Sequence, residues 1–115
     1  MKSLVFMADD VPVVVLCSGA DRVDEARLRT ALGAVTTRRA TADEAKAATG
    51  YPIGGVAPFA HERACRVVAD ARLLGFAEVW AAAGLPDAVF PIAPDELVRL
   101  AGAEVAEVAE VAGPA

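Results

Sequence analysis

Three glycines and two prolines fall within the eleven residues TGYPIGGVAPF, Thr49 to Phe59, a composition suited to chemistry done by the main chain. Adjacent glycines, Gly54 and Gly55, let backbone N–H groups approach a ligand closely, and Pro52 and Pro58 stiffen the loop. Preorganised donors of this kind stabilise a tetrahedral oxyanion by about 2.7–4 kcal/mol each. The same composition also makes an ordinary turn, and composition leaves both readings open. Side-chain chemistry has little to draw on. No G-x-S-x-G, H-E-x-x-H or Walker lysine occurs, and no Rossmann glycine pattern. His61 is the single histidine, and Cys17 and Cys65 lie in separate strand-like runs without a CxxC or zinc spacing. Two reduced thiols are expected, with no metal and no cofactor.

Such a loop acts only if rigid elements hold it. KSLVFMA and VPVVVLC, separated by Asp9-Asp10, predict a β-hairpin. VDEARLRTALG predicts a helix stopped at Gly33, and a short strand is expected over Ala34–Arg38. Thr41 and Glu44 have capping-box spacing ahead of the helix ADEAKAAT, with Gly50 at its C-terminal end, so the loop begins where a helix stops. RACRVVAD, AEVWAAAG and AVFPI predict three more strands, and PDELVRLAG a helix with Pro94 in its first turn. Irregular alternation of strands and helices predicts a mixed α/β fold. From Glu104 the triplet Glu-Val-Ala occurs three times, and valines at that interval predict a short docked or frayed terminal helix over 104–115. The fold itself is then expected to occupy residues 1–103.

Size and charge narrow the functions. At 115 residues the chain suits one domain, and its 56% hydrophobic content excludes disorder. Its longest apolar run, Val11–Cys17, is too short to cross a membrane, and the start lacks signal-peptide character, so a cytoplasmic location is expected. Residues 1–72 carry ten Lys/Arg against nine Asp/Glu, whereas 73–115 carry one against seven. With a net charge of −5, tight nonspecific binding to DNA or other nucleic acid is not expected, and any RNA contact belongs to the first part.

The ordered set Lys2-Ser3-Leu4-Val5-Phe6, VDEARLRTALG, TGYPIGGVAPF, Asp70 closing RVVAD, AAAG and APDEL resembles the YbaK/EbsC family. These are aminoacyl-tRNA deacylases related to the editing domain inserted in bacterial prolyl-tRNA synthetases. The resemblance runs from Lys2 to about Leu100. It implies a mixed, twisted, barrel-like sheet flanked by helices, and trans-editing hydrolysis of the ester joining a wrong amino acid to tRNA. Water would attack with help from the substrate's ribose hydroxyl. The family lysine falls on Lys2, which would hold the terminal phosphate or the attacking group, and the family G-x-x-x-P loop falls on Gly54 and Pro58. Gly54 and Gly55 would then supply oxyanion donors or pocket floor. Val56, Ala57, Pro58 and Phe59 would line the pocket, with His61 and Asp70 near the substrate. Partners implied are the 3′ end of a mischarged tRNA and a synthetase. Relatives often carry Ser at Ala57 and Gly at Ala60, and several tens of residues before the lysine. A chain without that segment is expected to be slow and to pair through its bare strand edge as a homodimer. The competing expectation is a non-catalytic module that binds tRNA ends or a synthetase.

Overall fold

The computed structural model describes residues 1–85 and 87–110. Strands β1 (Lys2–Ala8) and β2 (Val11–Cys17) are joined by Asp9-Asp10 alone, both in left-handed conformation at φ 48° and 64°. Two consecutive positive φ values define the turn whose twist matches a hairpin. The Asp9 carboxylate accepts the N–H groups of Val35 (3.0 Å) and Thr36 (2.8 Å). Those bonds hold residues 35 and 36 outside the strand, so β3 is Thr37–Arg39 and starts later than its sequence suggests.

The sheet order is β3-β1-β2-β4-β7, with β4 at Arg66–Asp70 and β7 at Glu104–Ala106. β1 pairs antiparallel with β2 and β3, whereas β2–β4 and β4–β7 are parallel. A separate antiparallel ribbon consists of β5 (Val79–Ala82) and β6 (Val89–Ile92). Side-chain alternation along the strands creates two cores. On one face Val5, Val14, Leu16 and Val67 pack with Ala45 of α2 (Ala42–Thr49), Leu97 of α3 (Pro94–Ala101) and Val56 of the loop. On the other, Phe6, Val13, Val15 and Val68 pack with Leu28 of α1 (Glu25–Leu32) and with Val108. This is the expected mixed α/β architecture, a sheet flanked by helices. No helix among the described residues is long and apolar enough to cross a membrane.

The Glu-Val-Ala segment differs from expectation: Glu104–Ala106 is an edge strand, not a helix. Its β-branched valines suit a strand, and Arg66 fixes its start through a two-pronged ion pair with Glu104 (Nη2–Oε2 2.9 Å). Further on, the N–H groups of Val108 and Ala109 donate to Asp70 (2.9 and 3.1 Å), which a continuing helix would need for itself. The rest of that expectation, residues 111–115, lies outside the described residues. Cys65 also falls just before β4 rather than inside it.

The capping box at α2 forms as expected: Thr41 Oγ1 accepts from the Glu44 N–H, and the Glu44 carboxylate accepts from the Thr41 N–H. Arg38 adds two bonds of 2.7 Å to the same carboxylate. Together, led by the Arg38 bonds, these lower the Glu44 pKa from 4.5 to about 2. A carboxylate depressed in the folded state stabilises the fold above its unfolded value, and the contribution is lost as pH falls through the folded value. Melting temperature should therefore decline between about pH 4.5 and pH 2. Asp9, lowered by its bonds to Thr36 and Val35, contributes in the same direction. In Glu44→Gln the decline should be shallower. An identical pH profile for the variant would show that this pair contributes nothing.

Candidate active site

The loop is pinned at both ends to the end of α2. Gly50 ends the helix at φ 82°, and Tyr51 N–H donates to Thr49 Oγ1 (3.1 Å). On return, the N–H groups of Glu62 and Arg63 donate to the carbonyls of Thr49 and Ala48. Inside, Tyr51 Oη donates to the Ala60 carbonyl (2.9 Å) and His61 Nε2 lies 2.7 Å from the Ala57 carbonyl. A carbonyl only accepts, so Nε2 carries the hydrogen. The two rings meet edge to face at 6.2 Å. Ala60 sits at φ 59°, a conformation unfavourable for alanine.

At the loop's tip the Gly55 N–H donates to the Pro52 carbonyl (2.9 Å) while Gly54 sits at φ 86°. An i to i+3 bond with positive φ at the third residue is the signature of a type II turn, which requires glycine there. One expected donor is thereby removed, because the Gly55 amide is already engaged within the turn. The amides of Ile53, Gly54 and Val56 have no hydrogen-bond partner among the described residues, which leaves them available to a ligand.

These amides border a cavity of about 420 Å³. Its walls are Met1 and β1 from Lys2 to Val5, Arg39 at the end of β3 and Ala40 after it, Ala45 of α2, the loop residues Ile53, Gly54 and Val56, and Ala82 and Val89 of the ribbon. β3 pairs only with Phe6, Met7 and Ala8, so the outer edge of β1 from Lys2 to Leu4 is left open toward the cavity. The Val5 carbonyl accepts from Ala40 N–H on this outer side (2.9 Å), and antiparallel alternation turns the main-chain groups of Ser3 the same way. Ser3 Oγ is buried and has no hydrogen-bond partner among the described residues. A buried hydroxyl without a partner is costly and marks a position where a ligand can supply one.

Of the residues the sequence pointed to, the structure brings Lys2, Gly54 and Val56 to the cavity. Lys2 shares a strand face with Leu4 and Phe6, and it borders a second cleft on that side. Gly55, Ala57 and Pro58 are buried within the loop, outside the lining. Phe59 packs on Phe90 at 5.9 Å, and His61 braces Ala57 instead of facing the cavity. Asp70, expected near the substrate, is also outside the lining. The residue is 2% exposed, and its carboxylate accepts from the Arg72, Val108 and Ala109 N–H groups and is consumed in holding the backbone. Ser3, Arg39 and the small residues Ala40, Ala45 and Ala82 were not singled out by sequence. Only Ser3, directly after the family lysine in a strand of alternating character, carried a usable signal. Neither thiol is primed for attack: burial pushes both Cys17 and Cys65 up, and Lys2 offsets this only partly at Cys17.

Residues 1–100 match the model of the aminoacyl-tRNA editing domain. The chain belongs to that family. The editing domain here is 41% identical over 70 residues to a proline–tRNA ligase of Ligilactobacillus salivarius strain UCC118, covering 61% of this chain and 12% of the ligase. A proline–tRNA ligase of Lactobacillus acidophilus is 33% identical over 90 residues, covering 78% of this chain and 16% of the ligase. The editing domain thus spans a small part of the curated relatives it matches. Among solved structures, a candidate trans-editing enzyme for prolyl tRNA synthetase superposes with TM-score 0.90 at 41% identity, covering 96% of this chain and 70% of that one. A hypothetical protein superposes with TM-score 0.87 at 33% identity, covering 95% and 73%.

Proposed function

We propose that this editing domain hydrolyses the ester bond between a mischarged amino acid and the 3′ end of tRNA, acting in trans. The observation that carries this reading is a cavity of about 420 Å³ lined by Gly54 and Val56, whose amides have no partner among the described residues, and by the first residues of β1 with the unpartnered Ser3 hydroxyl. The aminoacyl carbonyl oxygen would accept from the loop amides, which stabilise the oxyanion as water attacks. Proton transfer would rest on the substrate's own ribose hydroxyl, since His61 is engaged and both thiols are raised. Alanines at 40, 45 and 82, together with Val56 and Val89, shape an apolar recess for a small side chain. A second hydrolytic site of this kind corrects errors that differ by a methylene, for which binding alone discriminates only about 10–200-fold.

Hydrolysis of tRNAs carrying Cys, Ala, Ser or Pro, followed by release of the amino acid, tests the reading. Binding to all four without turnover would assign the chain to the non-catalytic alternative. A further expected result concerns Ser3. Ser3→Ala removes a buried unpaired hydroxyl, so the fold should be as stable or up to about 1 kcal/mol more stable. Deacylation should nevertheless fall by about tenfold, through loss of a substrate hydrogen bond. Denaturant melts and single-turnover rates measure the two, and a rate equal to that of the native chain removes Ser3 from the site.

A further inference from the structure

We propose that the cleft adjoining the cavity is the track for the RNA strand whose 3′ end enters the cavity, with Arg39 as the phosphate contact at their shared wall. This inference rests on the reading of the loop cavity as the aminoacyl pocket. The cleft, of about 250 Å³, shares Lys2, Leu4 and Arg39 with the cavity, so one chain can run from one into the other.

The distribution of unpaired cations points there. Arg27, Arg38, Arg66, Arg72 and Arg99 are in ion pairs, Lys46 donates to the Gly50 carbonyl, and Arg29 donates to Thr37. Four cations remain without a polar partner among the described residues, and three of them, Lys2, Arg22 and Arg39, wall this one cleft. The Arg39 guanidinium lies 5.4 Å over the Phe6 ring, which orients it while its N–H donors stay free. In a chain of net charge −5 such a cluster is a local exception.

Glu25 and Glu110 border the same cleft and are unpaired with its cations. They leave the phosphates to Lys2, Arg22 and Arg39. Ribose hydroxyls, which can donate to carboxylates, suit Glu25 and Glu110, and this favours RNA over DNA.

The test has two arms. Binding of an uncharged single-stranded RNA ending in the tRNA 3′ sequence is measured across salt concentrations for the native chain, Arg39→Ala, Arg39→Gln and Arg22→Ala, with Arg99→Ala on α3 as the distant control. Each lost phosphate contact should reduce the slope of log K against log salt by about 0.7. In the second arm, Arg39→Ala should raise KM for mischarged tRNA about tenfold at low salt with kcat within twofold. Slopes and KM unchanged in both Arg39 variants and in Arg22→Ala overturn the proposal. Should the native chain hydrolyse no tested tRNA, the hydrolytic reading fails, and the salt slopes still decide the track. A DNA strand of the same sequence bound as tightly as RNA overturns the assignment of the carboxylates to ribose.

Discussion

Asp70→Ala should destabilise the fold by about 3–5 kcal/mol. Oδ1 accepts from the N–H groups of Val108 (2.9 Å) and Ala109 (3.1 Å), and Oδ2 from Arg72 (3.3 Å). Alanine leaves these amides without a partner, two of them in buried surroundings, and each buried unpaired group costs about 1–3 kcal/mol. Val108, fully buried against Leu28 and Phe6, would lose its anchorage as well. The cost is a large fraction of the roughly 5–15 kcal/mol that holds a domain together. Asn at this position keeps one carbonyl oxygen for Val108 and Ala109, so Asp70→Asn should recover part of the loss. Because Asp70 is outside the cavity lining, kcat per folded molecule should remain near that of the native chain in both variants. Urea denaturation with active-fraction correction measures both, and a loss below about 1 kcal/mol for alanine would remove Asp70 from this role.

The same residue shows where sequence reading stops. A strand-ending aspartate reads equally as cap or site, and here the partners that decide lie 38 and 39 residues away in the chain. The Glu-Val-Ala segment reads as a helix for a related reason: three-residue strands carry little periodic signal, and the contacts that make β7 come from Arg66 and Asp70. Local devices were legible. The capping box of Thr41 and Glu44, the Asp9-Asp10 turn and Pro94 at the start of α3 each act within a few residues, so spacing suffices. The loop was legible as a main-chain device, but not which of its amides is available. That depends on the turn bond from Gly55 to Pro52, and a pair of glycines in sequence does not show which one the turn consumes. Arg39 was invisible as a site residue because β3 has to pair with β1 before its side chain reaches the cavity.

Gly54 should be the position most sensitive in catalysis. Its φ of 86° is one that L side chains rarely adopt, and the type II turn that sets the direction of the next amides depends on it. Nothing lies within 4 Å of a Cβ added there, so a substitution acts through the backbone and through the space it takes in the cavity, not through a clash with the protein. Alanine should move the turn toward negative φ and carry the Val56 amide with it. A displacement of about 1 Å can cost roughly 100-fold in rate, similar to the loss of one oxyanion donor. Gly54→Ala is therefore expected to lower kcat about 100-fold, with stability reduced by about 1–2 kcal/mol from the left-handed conformation. Asn tolerates positive φ better than Ala, and Val tolerates it least. Activity should fall in the order Gly, Asn, Ala, Val, although Asn and Val are both larger than Ala. If side-chain bulk in the cavity were the cause, Ala would be the mildest variant and KM would rise. Single-turnover deacylation with binding measured separately distinguishes the two, because backbone displacement lowers the rate while tRNA affinity stays within a few-fold. Equal losses of rate and affinity would mean that the loop has unfolded and that its amides have no separate role in the reaction.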